Sequence, residues 1–568
     1  MKKQILDLRQ KMREHDIDAY LIQTNDFHGS EYMNDYFKCR EFMSGFTGSA
    51  GTMVVTTDDA LLWTDGRYFL QAAAQLEGSE ITLMKSGEPG VPTITEYLQE
   101  VLTPNSTLGF DGRVTSISQE IENICHICSE YDLIDEIWTD RPAIEPSHIY
   151  SLDKSVTGKS ADSKLGTLRT FMQQKNYDCF LTTNLEEIAW LYNLRGNDIP
   201  HTPVFFSFLL VTPEEDRLYV LDSTFTERKT YPYTQFFEDI KHIPAGRLLL
   251  KKDTINYSIM KSIPAHVEVV SQTSPLALMK CRKNETEIVC TKNAHIKDGA
   301  AMAEFLCWLK ANIGKTEITE ISASDYLEKC RRMQEGCFDL SFDTISGYAE
   351  NGAIIHYSAT PETNKVLKPE GFLLVDSGGQ YTDGTTDITR TIALGPLTDE
   401  MKEHYTAVLK GHIALAAARF MKGTTGADLD KLARQPINDI GHNYNHGTGH
   451  GVGHILSCHE GPQTISPRGG GVPILPRMIC SNDPGIYIEG SHGIRLENEI
   501  LCIESADGMY EFETITFCPF DRDAIIKENL TEEELNWLNE YHFQVHKRIS
   551  PHISEDTKKW LSEATKPL

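Results

Sequence analysis

Residues 372–390 read Phe372-Leu373-Leu374-Val375-Asp376-Ser377-Gly378-Gly379-Gln380-Tyr381-Thr382-Asp383-Gly384-Thr385-Thr386-Asp387-Ile388-Thr389-Arg390. An apolar run ends in Asp376, a turn with the Asp383-Gly384 pair follows, and a Thr/Ile-rich strand bearing Asp387 returns. That pattern is a β-hairpin. The two aspartates lie almost symmetrically about the turn and are expected to face each other on an antiparallel pair. Like charges facing across a ladder are destabilising. Two carboxylates pinned together call for a proton or a cation between them, and a bridging divalent metal is the expected occupant. Asp383 reads as a turn former.

A second hairpin follows about a hundred residues later. It runs Ser481-Asn482-Asp483-Pro484-Gly485-Ile486-Tyr487, then Gly493-Ile494-Arg495-Leu496-Glu497-Asn498-Glu499. Its midpoint falls near Gly490, so Asp483 and Glu497 hold opposable positions. Glu499 shares a face with Glu497 by strand alternation and is the alternative ligand. Between the hairpins lies His446-Gly447-Thr448-Gly449-His450-Gly451-Val452-Gly453-His454, then His459-Glu460-Gly461-Pro462. His446 and His450 have the spacing of a helical zinc pair, but the glycines between and beside them argue against a helix. No His-Glu-x-x-His occurs, which removes the zincin reading.

On these residues the chain resembles the dinuclear-metal "pita-bread" peptidases, which include methionine aminopeptidase, prolidase and aminopeptidase P. Their ligands are Asp, Asp, His, Glu and Glu, the first two eleven residues apart, as Asp376 and Asp387 are. The resemblance implies Asp376, Asp387, His450, Asp483 and Glu497 as metal ligands. It is strongest to the long, three-domain, cytosolic aminopeptidase P (Xaa-Pro aminopeptidase) family. Further matching stretches are Ser44 to Gly51, Trp63 to Phe69, Asn193 to Gly196 with Pro203 to Ser207, and His356-Tyr357 ahead of Pro361 to Asn364. At the fourth ligand the family usually has Glu-Pro-Gly and this chain has Asp483-Pro484-Gly485. Asp is one carbon–carbon bond shorter, about 1.5 Å less reach, yet remains a competent ligand and base.

The resemblance implies a metallo-aminopeptidase that hydrolyses the N-terminal Xaa-Pro bond of peptides with a metal-bridged hydroxide. Asp483 inherits proton transfer. His356 and His459 flank the site as oxyanion donors and shape the pocket for proline. His446 lines the pocket or supports a ligand from behind, Tyr487 lines the pocket, and Arg495 orients carboxylates beside the substrate. A proline-specific pocket has a physical reason to exist, because the bond before proline is a tertiary amide without an N–H. Four carboxylates and one imidazole form a hard donor set, best suited to two manganese ions, with cobalt or zinc as alternatives. Two other functions compete: a prolidase restricted to Xaa-Pro dipeptides, and a non-catalytic pita-bread binding module. For His442, His454 and His492 an ordinary surface or core role is expected.

The 568 residues exceed one core. The 82 acidic residues outnumber the 54 basic ones, leaving −28, which disfavours nucleic acid and anionic membranes as partners. No apolar run is long enough to span a bilayer. The start, Met1-Lys2-Lys3-Gln4-Ile5-Leu6-Asp7, turns amphipathic at once, without a signal-type apolar run. Thirteen scattered cysteines suit a reducing, cytoplasmic location. Cys125 and Cys128 resemble half of a metal or redox site, but without a second pair they read as helical thiols. The family resemblance implies a homodimer.

A faint repeat has an offset of 160. Leu8, Arg9, Met12 and Asp18 correspond to Leu168, Arg169, Met172 and Asp178, each set in a helix running into a strand. Two related α/β domains are expected, at 1–157 and 158–277, with a linker over 154–163. The resemblance identifies both as creatinase-like. The third domain, 278–568, is the pita-bread domain with a C-terminal helical extension. It should begin near Lys280, just ahead of the helix-start signal of Asn284 and Glu287. Helix–helix–hairpin then occurs twice.

Overall fold

The offset-160 repeat returns as two sheets of one topology. The computed structural model describes residues 3–469 and 471–568, so Met1 and Lys2 of the N-terminal stretch lie outside the described residues. Two compact units form, one of Met1–Leu152 with Lys159–Leu276 and one of Asp153–Gly158 with Ala277–Leu568.

In the first unit, helix α1 (Lys3–Glu14) leads into β1 (Ala19–Gln23). Strands β2 (Thr52–Thr56), β3 (Ala60–Thr64), β4 (Thr82–Lys85), β5 (Thr107–Gly109) and β6 (His126–Cys128) follow. Helix α2 (Ala161–Lys175) leads in the same way into β7 (Cys179–Thr182). After it come β8 (Ser207–Val211), β9 (Asp216–Val220), β10 (Tyr231–Pro232), β11 (Gly246–Leu250) and β12 (Val267–Ser271). The sheet orders are β4-β3-β2-β1-β5-β6 and β10-β9-β8-β7-β11-β12. Strand directions also match: β1 and β7 each pair antiparallel on one side and parallel on the other, and the edge pairs β3–β4 and β9–β10 are parallel in both sheets.

The repeated residues do the same work in both copies. Leu8, Met12, Leu168 and Met172 are buried. Arg9 donates from Nε to the Thr56 carbonyl and Arg169 from Nε to that of Thr212. Asp18 and Asp178 each accept a backbone N–H with Oδ2, from Thr107 and Arg247. An amphipathic helix is thereby fastened to its sheet by one arginine and one aspartate.

Two expectations fail here. The stretch 154–163 is not a slack linker. Asp153 caps a helical turn, Lys154–Thr157, which Gly158 ends at φ +68°. That turn belongs to the second unit, where Asn284 Nδ2 donates to the Thr157 carbonyl. Cys125 and Cys128 are not helical either. Cys128 lies on β6 and Cys125 just before it, because a four-residue helix ends at Glu122 and the chain turns into the sheet edge.

The second unit opens with α3 (Glu285–Asn312), whose start is a reciprocal cap between Asn284 and Glu287. Helix α4 (Glu320–Arg332) follows. Asp298 of α3 accepts from buried Arg331 of α4 at 2.7 Å and from the Tyr381 hydroxyl at 2.8 Å. Both helices and the first hairpin are thus tied at one point.

The strands of that region are β13 (Cys337–Leu340), β14 (Ile345–Tyr348), β15 (Phe372–Ser377), β16 (Gly379–Tyr381), β17 (Gly384–Thr385) and β18 (Ile388–Ala393). Helices α5 (Asp399–Ala416) and α6 (Gly426–Asn438) come next. Then follow β19 (Gly449–Gly451), β20 (Glu460–Ile465), β21 (Ile479–Asn482), β22 (Gly485–Ile488), β23 (His492–Arg495), β24 (Asn498–Glu504) and β25 (Tyr510–Thr514). Helices α7 (Glu532–Ile549) and α8 (Glu555–Ala564) end the unit. Leu538, Val545, Ile549 and Leu561 of this tail share a core with Val408, Ile413, Ile486 and Leu496.

The first hairpin differs from its expected register. Asp376 pairs with Thr389, and Tyr381 with Gly384. The turn is therefore Thr382-Asp383, with Gly384 already paired. Asp387 lies outside the strand, diagonal to Asp376 rather than opposite it. The cause is that the hairpin splits between two sheets, β15 with β18 and β16 with β17, and Asp387 falls at the crossing. Asp383 sits in the turn and pairs with Lys297 at 2.9 Å.

The second hairpin keeps its expected register. Asn482 pairs with Asn498 and Gly485 with Arg495, which leaves Asp483 and Glu497 opposite each other between the two ladders. Its loop turns at Gly490, φ +72°, a left-handed value that glycine adopts without a Cβ clash.

Candidate metal centre

The centre is built where two hairpins are stitched together. Glu497 donates its N–H to the Thr389 carbonyl at 3.1 Å, and Thr389 Oγ1 donates to Glu497 Oε2 at 2.7 Å. Arg390, next along β18, is buried and gives Nη1 to the Glu497 carbonyl and Nη2 to Asn498 Oδ1. Asp483 donates its N–H to the Thr448 carbonyl at 2.8 Å, which brings the His446–His450 stretch alongside. His450 stands in β19, a strand and not a helix, as its glycine neighbours require.

Five expected residues converge. Ligand atoms of Asp376, Asp387 and Glu497 lie within 4.8 Å of one another, as do those of His450, Asp483 and Glu497. A third group joins Asp387, His450 and His459. His450 Nδ1 lies 2.9 Å from the Gly451 carbonyl; donating there fixes the tautomer and leaves Nε2 with a free lone pair, 3.4 Å from Asp387 Oδ2. The shorter Asp483 therefore still reaches the cluster.

The electrostatics demand positive charge. Burial pushes the Asp483 and Glu497 carboxyls well above their usual range, and the charges of neighbouring aspartates add to it. Burial also raises Asp376, against the pull of Arg495. Burial acts upward on Asp387 too, but hydrogen bonding and charge from His450 outweigh it and hold Asp387 low. Asp376 Oδ1, Asp387 Oδ1 and Asp483 Oδ1 are buried without a hydrogen-bond partner. Buried polar atoms are nearly always satisfied, and orphaned carboxylate oxygens in these overlapping groups fit divalent cations.

Three of the expected supporting residues, Arg495, Tyr487 and His446, form one chain of contacts. Arg495 donates Nη2 to Asp376 Oδ2 at 2.7 Å and Nη1 to the Tyr487 hydroxyl at 2.8 Å. Tyr487 in turn meets His446 Nε2 at 2.7 Å. Arg495 Nη2 also reaches the carbonyl of Ile355, at 3.3 Å, which ties down the residue before His356. The His459 ring stands edge-on to His450, 4.3 Å between centroids, and stacks near Phe342.

His442, His454 and His492, expected to be ordinary, lie outside the three groups of ligand atoms. His454 bonds the Val156 carbonyl at 2.8 Å, and His492 lies 3.0 Å from His404. The His442 ring stands edge-on to that of His404. Glu499, the alternative ligand, accepts the Asp387 N–H at 2.9 Å and falls outside the three groups of ligand atoms. Sequence reasoning missed Thr389, Phe342, His295 and Cys458. Cys458 donates from Sγ to Asp387 Oδ2 at 3.2 Å. Its adjacency to His459 was the available signal.

Comparison with known proteins agrees along the whole chain. The Creatinase/Prolidase N-terminal domain model matches twice, over residues 4–135 and 140–287. Metallopeptidase family M24 matches residues 289–504, and the C-terminal region of the M24 peptidases matches 508–568. Aminopeptidase P2 of Arabidopsis thaliana is 39% identical over 97% of this chain and 86% of its own length. A probable Xaa-Pro aminopeptidase P of Laccaria bicolor is 38% identical, covering 99% and 92%. The crystal structure of X-prolyl aminopeptidase from Caenorhabditis elegans, described as a cytosolic enzyme with a di-nuclear active site, superposes with a TM-score of 0.95. It is 34% identical and covered end to end on both chains.

Proposed function

The chain belongs to metallopeptidase family M24, in its aminopeptidase P branch, and on that premise we propose that it removes the N-terminal residue of peptides whose second residue is proline. Its fold is a pair of creatinase-like α/β domains followed by a pita-bread catalytic domain. We divide these at 1–157, 158–277 and 278–568, a division supported by the two equivalent sheets.

Asp376, Asp387, His450, Asp483 and Glu497 would hold two divalent cations. Bound there, the cations supply Lewis acidity and a water acidic enough to attack near neutral pH. The remaining work falls to the protein. Arg495 and Thr389 each engage one oxygen of Asp376 and Glu497, which orients the carboxylates. Asp483, with Oδ1 unpaired in a buried setting, takes up the proton released as water attacks. His459 and His356 donate to the oxyanion that develops on the scissile carbonyl. His446, Tyr487 and Arg495, linked by hydrogen bonds, form one wall of a pocket for the proline ring. That ring brings no N–H of its own to be satisfied.

Manganese is the metal we assign, from the hard donor set. We also assign a homodimer and a cytoplasmic location, the latter supported by the cytosolic relative. Nucleic acid and membranes are not proposed as partners of so acidic a chain.

The observation that carries this reading is the overlap of three ligand groups, each within 4.8 Å, with unpaired buried carboxylate oxygens. The test is hydrolysis of an Xaa-Pro-Xaa tripeptide beside an Xaa-Pro dipeptide, by metal-free protein and after manganese is restored. Tripeptide cleavage that returns with metal is expected. Cleavage of the dipeptide alone would make the enzyme a prolidase. No cleavage of either, with two metals bound, would refute the assignment.

A further inference from the structure

Asp387 has an unusual support. It lies where the chain crosses from β17 to β18, so its N–H has no strand partner. The acceptor is a side chain instead, Glu499 Oε1 of β24, at 2.9 Å. Glu499 is fully buried, and a lone ionised carboxylate is not tolerated in such a place. Its other oxygen, Oε2, lies 3.1 Å from Nε2 of buried His295 on α3, off the direct line of the ring N–H. Thr516 links the two from behind: it accepts the Glu499 N–H at 2.8 Å and lies 3.4 Å from His295 Nδ1.

The ligand atoms grouped at the centre include neither Glu499 nor His295. One Glu499 oxygen accepts a backbone amide, and the other faces an imidazole 3.1 Å away. Residues from α3 and from the segment after β25 thus meet at Glu499, which itself holds the backbone of this ligand. We infer that Glu499, braced by His295, is a positioning residue that fixes the backbone at Asp387 and so aims its carboxylate into the metal centre.

This inference rests on the metal reading above, and its test separates the two. Manganese binding to chelator-stripped protein is titrated by the EPR signal of free Mn2+ for Glu499→Leu, Glu499→Gln, His295→Leu and Asp387→Asn. Circular dichroism checks each fold. Removing a supporting contact of this kind typically costs about 10–100-fold in metal affinity, and that loss is expected for Glu499→Leu and His295→Leu. Glu499→Gln keeps an oxygen for the Asp387 N–H and should retain most of the affinity.

If Glu499→Gln is as damaging as Asp387→Asn, Glu499 is a ligand and the inference fails. It also fails if His295→Leu or a folded Glu499→Leu melts earlier yet binds manganese normally. Should Glu499→Leu not fold, the contrast between Glu499→Gln and His295→Leu decides. An Asp387→Asn protein that binds two manganese ions normally would overturn the metal reading itself.

Discussion

Replacing Asp483 with Asn should push the metal-free and metal-loaded proteins in opposite directions. Asp483 and Glu497 bring carboxylate oxygens within 4.8 Å of each other, in a site only partly open to solvent. Two unit charges at that separation repel by about 3 kcal/mol at an effective dielectric constant near 20. If the site takes up a proton to relieve this, folding still bears a cost of similar kind, because burial penalises the charged form. Asn has nearly the same shape and no charge, so the metal-free protein should gain on the order of 2–3 kcal/mol. For a domain of this size that is roughly 3–5 °C in melting temperature.

With manganese present the sign reverses. The repulsion is then already offset by the cations, and Asn removes a ligand. Metal affinity should fall by more than the roughly 10–100-fold that losing a supporting contact costs. The assay is thermal unfolding with chelator and with saturating manganese, beside a manganese titration. An Asp483→Asn protein that melts below the parent in chelator, or that binds two manganese ions with parental affinity, would refute the reasoning.

Other outcomes follow from the same geometry. Asp376→Ala and Asp387→Ala should abolish peptide hydrolysis while leaving a folded protein, by circular dichroism, because each unit has its own hydrophobic core away from these side chains. Normal turnover by either with metal added would sink the ligand assignment. His356→Ala and His459→Ala should lower kcat by about 10²–10³ with manganese content unchanged by elemental analysis; parallel loss of metal would make them ligands, and the His459 ring is close enough to Asp387 and His450 to make that a real contrast. His28, buried in the first unit between the Thr183 carbonyl and the Tyr233 hydroxyl, has its pKa lowered from 6.5 to about 4 by burial. An unfolded His takes a proton below about 6.5 and the folded one does not, so stability is fully present above that pH. It declines as pH falls toward 4, by about 3 kcal/mol in all. Denaturant unfolding of the first unit should show that slope in the parent and not in His28→Phe.

Much of this molecule is local in origin and could be read from the chain. Helix starts are written in neighbouring side chains, as Asn284 and Glu287 show, because a cap is satisfied within one turn. The repeat at offset 160 survives in sequence because Arg9 and Arg169, and Asp18 and Asp178, serve the same short-range junction of helix and sheet. The second hairpin was legible down to the pairing of Asp483 with Glu497. One loop with one left-handed glycine sets a register that continues unbroken into the next ladder.

What the chain could not disclose depends on partners far away in sequence. Symmetry about the first turn suggested that Asp376 faces Asp387, but that hairpin divides between two sheets, and only packing determines where a strand changes partner. Glu499 and Glu497 have the same alternation and the same charge. Their roles part only because His295, two hundred residues earlier, meets one of them, while Thr389 meets the other. The stretch 154–163 has a linker's composition, yet its first part packs on Asn284. The sequence by itself determined which carboxylates and imidazoles gather at one place, since such side chains in these motifs have few other uses. The tertiary structure decided which oxygens are left unpaired, because that depends on donors brought in from every other part of the unit.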